Sequence, residues 1–181
     1  MEETEQAAGQ ICTADGQPDM LDTLIRQFGE RVYKLAYYHV RDRYLAEDIA
    51  QEVFCRVYRN LNRFRGESAY STWLYRITLN LCRDYMASAA NRRMLPWRNL
   101  ETGISADDEA RMFEEAEGGE IFAEVMSLPL KYRTAISLYY FEDMKTHDIA
   151  ATLGISEANV RARLCRGREM LKKALEEFHC E

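Results

Sequence analysis

The sequence predicts an all-α protein built as two small helical domains, a helical bundle and a helix-turn-helix unit, joined by an acidic flexible linker. Three observations predict it. Apolar residues recur at intervals of three and four through most of the chain. Only three prolines and nine glycines fall within 181 residues, which favours long helices over many short strands, and no strand signal competes. The helical rhythm lapses once, over residues 94–120, where Pro96, Gly103 and a run of acids intervene.

The elements follow in order. Residues 1–19 are polar, acidic and poor in aliphatics, and read as a disordered tail. From Met20 a helix places Leu21, Leu24, Ile25, Phe28, Val32, Leu35 and Ala36 on one face. A second begins near Leu45, with Ile49, Ala50, Val53, Phe54, Val57 and Leu61 at helical spacing. The short connection Asp42–Tyr44 favours an antiparallel pair. RFRGESAYS (Arg63–Ser71) is a loop with aromatics at both ends. Ser71 is placed to cap a third helix, Thr72 to about Ala90, with Leu74, Ile77, Leu81 and Tyr85 inward. These elements make a first domain, 20–93. The connector 94–120 has room for a short helix near Glu109–Glu117. A second domain, 121–178, starts at Ile121, with Leu128-Pro129 as a joint and Leu130–Phe141 turning Ala135, Leu138 and Tyr139 inward.

The stretch Thr146–Leu171, THDIAATLGISEANVRARLCRGREML, carries the strongest functional signal. Thr146 reads as an N-cap, Gly154 as the positive-φ stop and Ser156 as the cap of a second helix, with Val160, Leu164, Gly167 and Leu171 as its buried stripe. Between Ser156 and Lys173 six bases (Arg161, Arg163, Arg166, Arg168, Lys172, Lys173) face two acids, Glu157 and Glu169, a net charge of +4. At roughly 100° per residue, Arg161 and Arg168 flank one side of the stripe and Arg163 the other, while Arg166 points away. Such a helix buries its stripe while offering guanidinium groups to phosphates and base edges.

The overall charge of −6 looks unsuited to a nucleic-acid binder until it is located. Residues 99–120 hold eight acids and one base, a net of −7, so the rest of the chain is +1. Five scattered cysteines (Cys12, Cys55, Cys82, Cys165, Cys180), with no CxxC, suggest reduced thiols in a cytoplasmic protein. His179-Cys180 lacks partners at ligand spacing, so no metal or other cofactor is expected. No secretory signal and no membrane-spanning apolar run is evident.

Three stretches carry a resemblance. YLAEDIAQEVFCRVYRNLNRF (Tyr44–Phe64) and STWLYRITLNLCRDYMA, with Trp73-Leu74-Tyr75-Arg76-Ile77, Asn80 and Asp84, lie in the first domain. SLPLKYRTAISLYYFEDMKTHDIAATLGISEANVRARLCRGREMLKKAL (Ser127–Leu175) spans the second. Together they resemble regions 2 and 4 of the extracytoplasmic-function sigma factors of bacterial RNA polymerase, the reduced members of the sigma-70 family. Two departures stand out: Ala87, Ser88, Ala89 and Ala90 leave only Arg92 and Arg93 where relatives often carry a basic run, and Asp148 replaces a common Glu.

The resemblance implies a non-enzymatic factor that binds core polymerase and directs promoter-specific initiation. The second domain would read the −35 element as duplex, through Ser156, Asn159, Arg161, Arg163 and Arg166, by base-edge or phosphate contact. The first would recognise and melt the −10 element, through Tyr70, Ser71, Trp73, Arg76, Asn80 and Asp84. In its loop, Gly66–Ser71, Tyr70 is the better stacking candidate, and Trp73 is open to a core role. Asp48, Gln51, Glu52 and Arg56 would meet the β′ clamp helices of the polymerase, and the second domain's first helices the β flap. The connector would run through the polymerase channel, and an anti-sigma factor would be the regulator. A promoter-binding regulator independent of polymerase explains Thr146–Leu171 but leaves Leu45–Tyr85 without a task. An enzyme reading fares worse, because His39, His147 and His179 lie far apart and no phosphate-cradling glycine loop is present.

Overall fold

The computed structural model describes residues 17–64, 66, 68–93 and 120–178. Most of the expected tail, the connector with its optional helix at Glu109–Glu117, and His179-Cys180 lie outside the described residues; Gln17, Pro18 and Asp19, expected in the tail, are helical. Among the described residues every regular element is a helix, and no helix is long and apolar enough to cross a membrane. The chain divides into two compact units between Asp84 and Tyr85.

The first unit opens with a helical hairpin, α1 (Gln17–Val40) packed on α2 (Arg43–Asn60). The turn is shorter than the expected Asp42–Tyr44. The Asp42 carboxylate accepts a 2.9 Å hydrogen bond from the Leu45 N–H, so α2 starts at once at Arg43. Leu24, Phe28, Val32, Leu35 and Ala36 of α1 are buried, as are Ala46, Ile49, Val53 and Val57 of α2. Ile25 departs from the expected stripe and is exposed. Its neighbours Leu24 and Phe28 are buried at the same level of α1, so Ile25 lies off the edge of the buried arc.

A 3₁₀ turn, Leu61–Arg63, ends the hairpin, and α3 (Tyr70–Arg93) follows. Because α3 begins at Tyr70, Ser71 lies inside its first turn and is not the cap that the sequence suggested. Its buried arc is also rotated from the expected one. Leu74 and Leu81 are buried, together with Tyr75, Thr78, Leu79 and Cys82, but Ile77 and Tyr85 are only half-buried. That rotation turns the Trp73–Ile77–Asn80 side outward.

The second unit holds α4 (Glu120–Ser127), α5 (Leu130–Tyr140), α6 (Thr146–Leu153) and α7 (Glu157–Phe178). Leu128-Pro129 forms the joint between α4 and α5, as expected. The central α5 packs on α4, α6 and α7 and is buried from Arg133 to Leu138. Tyr139, expected inward, is half-buried. The Arg133 guanidinium donates a 2.7 Å hydrogen bond to the Met126 carbonyl, satisfying an orphan acceptor at the end of α4. Where α7 crosses α5 the approach is tight: a Cβ on Gly167 would lie 2.9 Å from Ile136 Cγ1, so the isoleucine would have to shift.

Candidate nucleic-acid interface

In the second unit, Gly154 takes the left-handed conformation, φ 66°, and closes α6 by donating its N–H to the Ala150 carbonyl. Ile155 donates to the same carbonyl at 3.1 Å. The Ser156 hydroxyl then accepts from the Asn159 N–H at 3.3 Å, so Ser156 caps α7 as expected. Thr146 does not cap α6. It lies in the first helical turn, after Lys145, and its hydroxyl donates to Glu157 Oε1 at 2.5 Å. The head of α6 is thereby tied to the head of α7.

Val160, Leu164 and Gly167 are buried, while Leu171, expected in the same stripe, is half-buried; this commits the opposite side of α7 to solvent. Asn159, Arg161 and Arg166 are exposed there, and Arg163 is half-buried. Neighbouring polar groups hold two of these arginines. Arg161 pairs with Glu157 at 2.6 Å, and Arg163 Nε donates to Asn159 Oδ1 at 3.2 Å. The Thr146 hydroxyl, and after it Arg161, hold the Glu157 carboxyl below the usual carboxylate range. Arg168 behaves differently from its neighbours: its Nε donates to the Tyr140 hydroxyl at 2.8 Å, and its guanidinium lies over the Tyr139 and Tyr140 rings. It braces α7 against α5.

The first unit offers a cavity instead of a ridge. Asn60 Nδ2 donates to the Arg56 carbonyl and ends α2, the 3₁₀ turn buries Leu61, and Phe64 N–H donates back to Leu61. Phe64 is thus set between two rings, stacked on Tyr70 at 4.4 Å and tilted against Trp73 at 4.9 Å. Trp73, Arg76, Ile77 and Asn80 share one face of α3 and, with Arg56, Asn60, Arg63, Phe64 and Ser68, line a cavity of about 420 Å³. Such a volume accepts one planar, polar-edged group between aromatic faces and guanidinium groups.

This geometry sorts the sequence candidates. Trp73, Arg76 and Asn80 come together in the cavity, whereas Tyr70, Ser71 and Asp84 are not part of its lining. Tyr70 and Trp73 are both half-buried and both pack on Phe64, and of the two only Trp73 lines the cavity. Asn60, Arg63, Phe64, Ser68 and Ile77 were missed. The signal for Phe64 was present, as one of the aromatics bounding the loop.

Residues 24–92 match the family model for Sigma-70 region 2, and residues 119–171 that for Sigma-70, region 4. The RNA polymerase sigma-H factor of Pseudomonas aeruginosa is 30% identical over 172 residues, covering 89% of each chain. The ECF RNA polymerase sigma factor SigW of Bacillus subtilis is 30% identical over 178 residues, covering 90% of this chain and 92% of its own. The chain belongs to the extracytoplasmic-function sigma factors of the sigma-70 family. Its fold is shared by the sigma factor RpoE of Bartonella quintana, solved with the anti-sigma factor NepR, at a TM-score of 0.70 and 17% identity, covering 87% of this chain and 97% of that one. It is also similar to CnrH, solved with the cytosolic domain of CnrY, at a TM-score of 0.67 and 24% identity over 91% and 92% of the two chains.

On this sigma factor the remaining candidates lie along one side of α2, at 48, 51, 52 and 56. Asp48 and Gln51 are exposed, and Glu52 and Arg56 are half-buried. Arg56 Nε pairs with Glu52 Oε1 at 3.0 Å, so the arginine assigned to a partner surface also forms the cavity wall. Cys55 and the large side chains Tyr44 and Tyr58 are exposed on the same helix.

Proposed function

We propose that the cavity of the first unit captures an unpaired base of the start-proximal (−10) promoter element, while α7 of the second unit reads the upstream (−35) element as duplex. The observation that carries this reading is the cavity itself. It is wide enough for one base, walled by Phe64 and Trp73, and edged by Arg56, Arg63, Arg76 and Asn80. Removing a base from the stack costs a few kcal/mol, and an aromatic platform returns about 1–3 kcal/mol per base. The guanidinium groups suit the flanking phosphates.

Ser156, Asn159, Arg161, Arg163 and Arg166 supply the duplex contacts, with Arg161 and Arg163 held by side chains of their own helix. Ser71 and Asp84 belong to the strand path beside the cavity, and Tyr70 acts through Phe64. Asp48, Gln51, Glu52 and Arg56 form the surface for the β′ clamp helices, and the start of the second unit meets the β flap. An anti-sigma protein is the regulator in this reading, as NepR is the partner of RpoE in the solved complex. The factor acts in the cytoplasm and catalyses no reaction itself.

Run-off transcription on genomic fragments tests the proposal. Core polymerase with this chain should start at a specific promoter set, and neither component alone should. Specific promoter binding by the chain without polymerase would overturn it in favour of an independent regulator.

A further inference from the structure

The acid at the head of the recognition helix is out of place by charge alone. Glu157 is the first residue of α7, on the helix proposed to face a polyanion, and a carboxylate there opposes the counterion-release term that drives association. Its contacts give it a task. One oxygen, Oε1, accepts from the Thr146 hydroxyl on α6 at 2.5 Å and from Arg161 Nη2, one turn along α7, at 2.6 Å. Glu157 is half-buried, whereas the Arg161 side chain is 67% exposed. Acid before base at this spacing is the favourable order on a helix, and it also suits the helix dipole. The Arg161 fork is therefore indexed to both helices of the motif before any DNA arrives.

We propose that Glu157 is a positioning residue for upstream-element recognition: anchored by Thr146, it presets the Arg161 guanidinium and so trades general affinity for duplex against discrimination between sequences. The inference rests on the reading that α7 contacts the upstream duplex. An unrestrained arginine reaches phosphates in many rotamers, and each such contact is indifferent to sequence. A guanidinium already held in one orientation loses less freedom on pairing with a base edge.

Two effects of opposite sign follow when the carboxylate is neutralised. Holoenzyme reconstituted with Glu157→Gln should bind a promoter fragment with a scrambled upstream element about twofold more tightly, because one repelling charge is gone. Its preference for the intact over the scrambled fragment should fall by about tenfold, within the range of one good base contact. Thr146→Val, which frees the carboxylate from α6 but keeps its charge, should lower the preference without raising the affinity for the scrambled fragment. In an Arg161→Ala background Glu157→Gln should leave the preference unchanged.

A fall in both affinities with Glu157→Gln would mark a merely structural residue and overturn the proposal. So would a preference that stays unchanged, or one that falls equally in the Arg161→Ala background. Failure of the underlying reading looks different: Arg161→Ala and Arg163→Ala would then leave the preference for the upstream element intact.

Discussion

In the proposed reading the two units meet two recognition problems with opposite shapes. The first presents a hollow, between the end of α2 and one face of α3, with rings for walls and guanidinium groups at the edge. The second presents a ridge, the outer side of α7 with Arg161 and Arg166 exposed, and its own hollow, about 660 Å³ between α4, α5 and α7, is lined mainly by apolar side chains with Arg168 and Lys172. Each shape suits what the proposal has it bind. An unpaired base exposes two flat faces and a polar edge, so it is held best when surrounded. A duplex hides those faces and offers only groove edges and phosphates, so a protruding helix reaches it best. The local physics diverges accordingly. Phe64 is held by stacking on two neighbours, whereas Arg161 and Arg163 are held by polar groups on the same helix.

Substitutions can break this contrast in graded steps. Phe64→Ala removes the ring that supports both Tyr70 and Trp73, and should lower open-complex formation by about 10- to 100-fold, in line with the loss of one stacking platform. Upstream binding should change by no more than about twofold; abortive initiation and filter binding separate the two. Gly167→Val places branched carbon where a Cβ already meets Ile136, and should destabilise the second unit by about 1–3 kcal/mol, read by denaturant titration. Arg168→Ala removes a brace between α7 and α5, and should cost about 0.5–1 kcal/mol with no change in the salt slope of promoter binding, unlike Arg163→Ala. The smallest effect is chemical. Burial pushes the Cys82 thiol up to about 12, so native alkylation near pH 8, followed by peptide mapping, should label exposed Cys55 and Cys165 and spare Cys82.

The ridge was far more legible in sequence than the hollow. Gly154, Ser156 and the stripe Val160, Leu164 and Gly167 are local signals, each acting within a few residues, and they fixed which side of α7 faces out. The cavity depends on two helices and a loop meeting, so its partners are separated by up to 24 residues, from Arg56 to Asn80. Periodicity placed Ile77 in the core, yet the buried arc of α3 turns toward Tyr75, Leu79 and Cys82 and leaves Ile77 for the cavity. The same limit explains Thr146. An N-cap is the expectation from the next three residues, but its hydroxyl is claimed by Glu157, eleven positions on.

The division of labour is tested most directly by footprinting holoenzymes on one promoter, combining protection of the upstream element with permanganate reactivity of unpaired thymines downstream. Trp73→Ala should keep the upstream protection and lose the downstream reactivity, whereas Arg163→Ala should weaken the upstream protection first. Equal loss of both signals with Trp73→Ala would contradict the account.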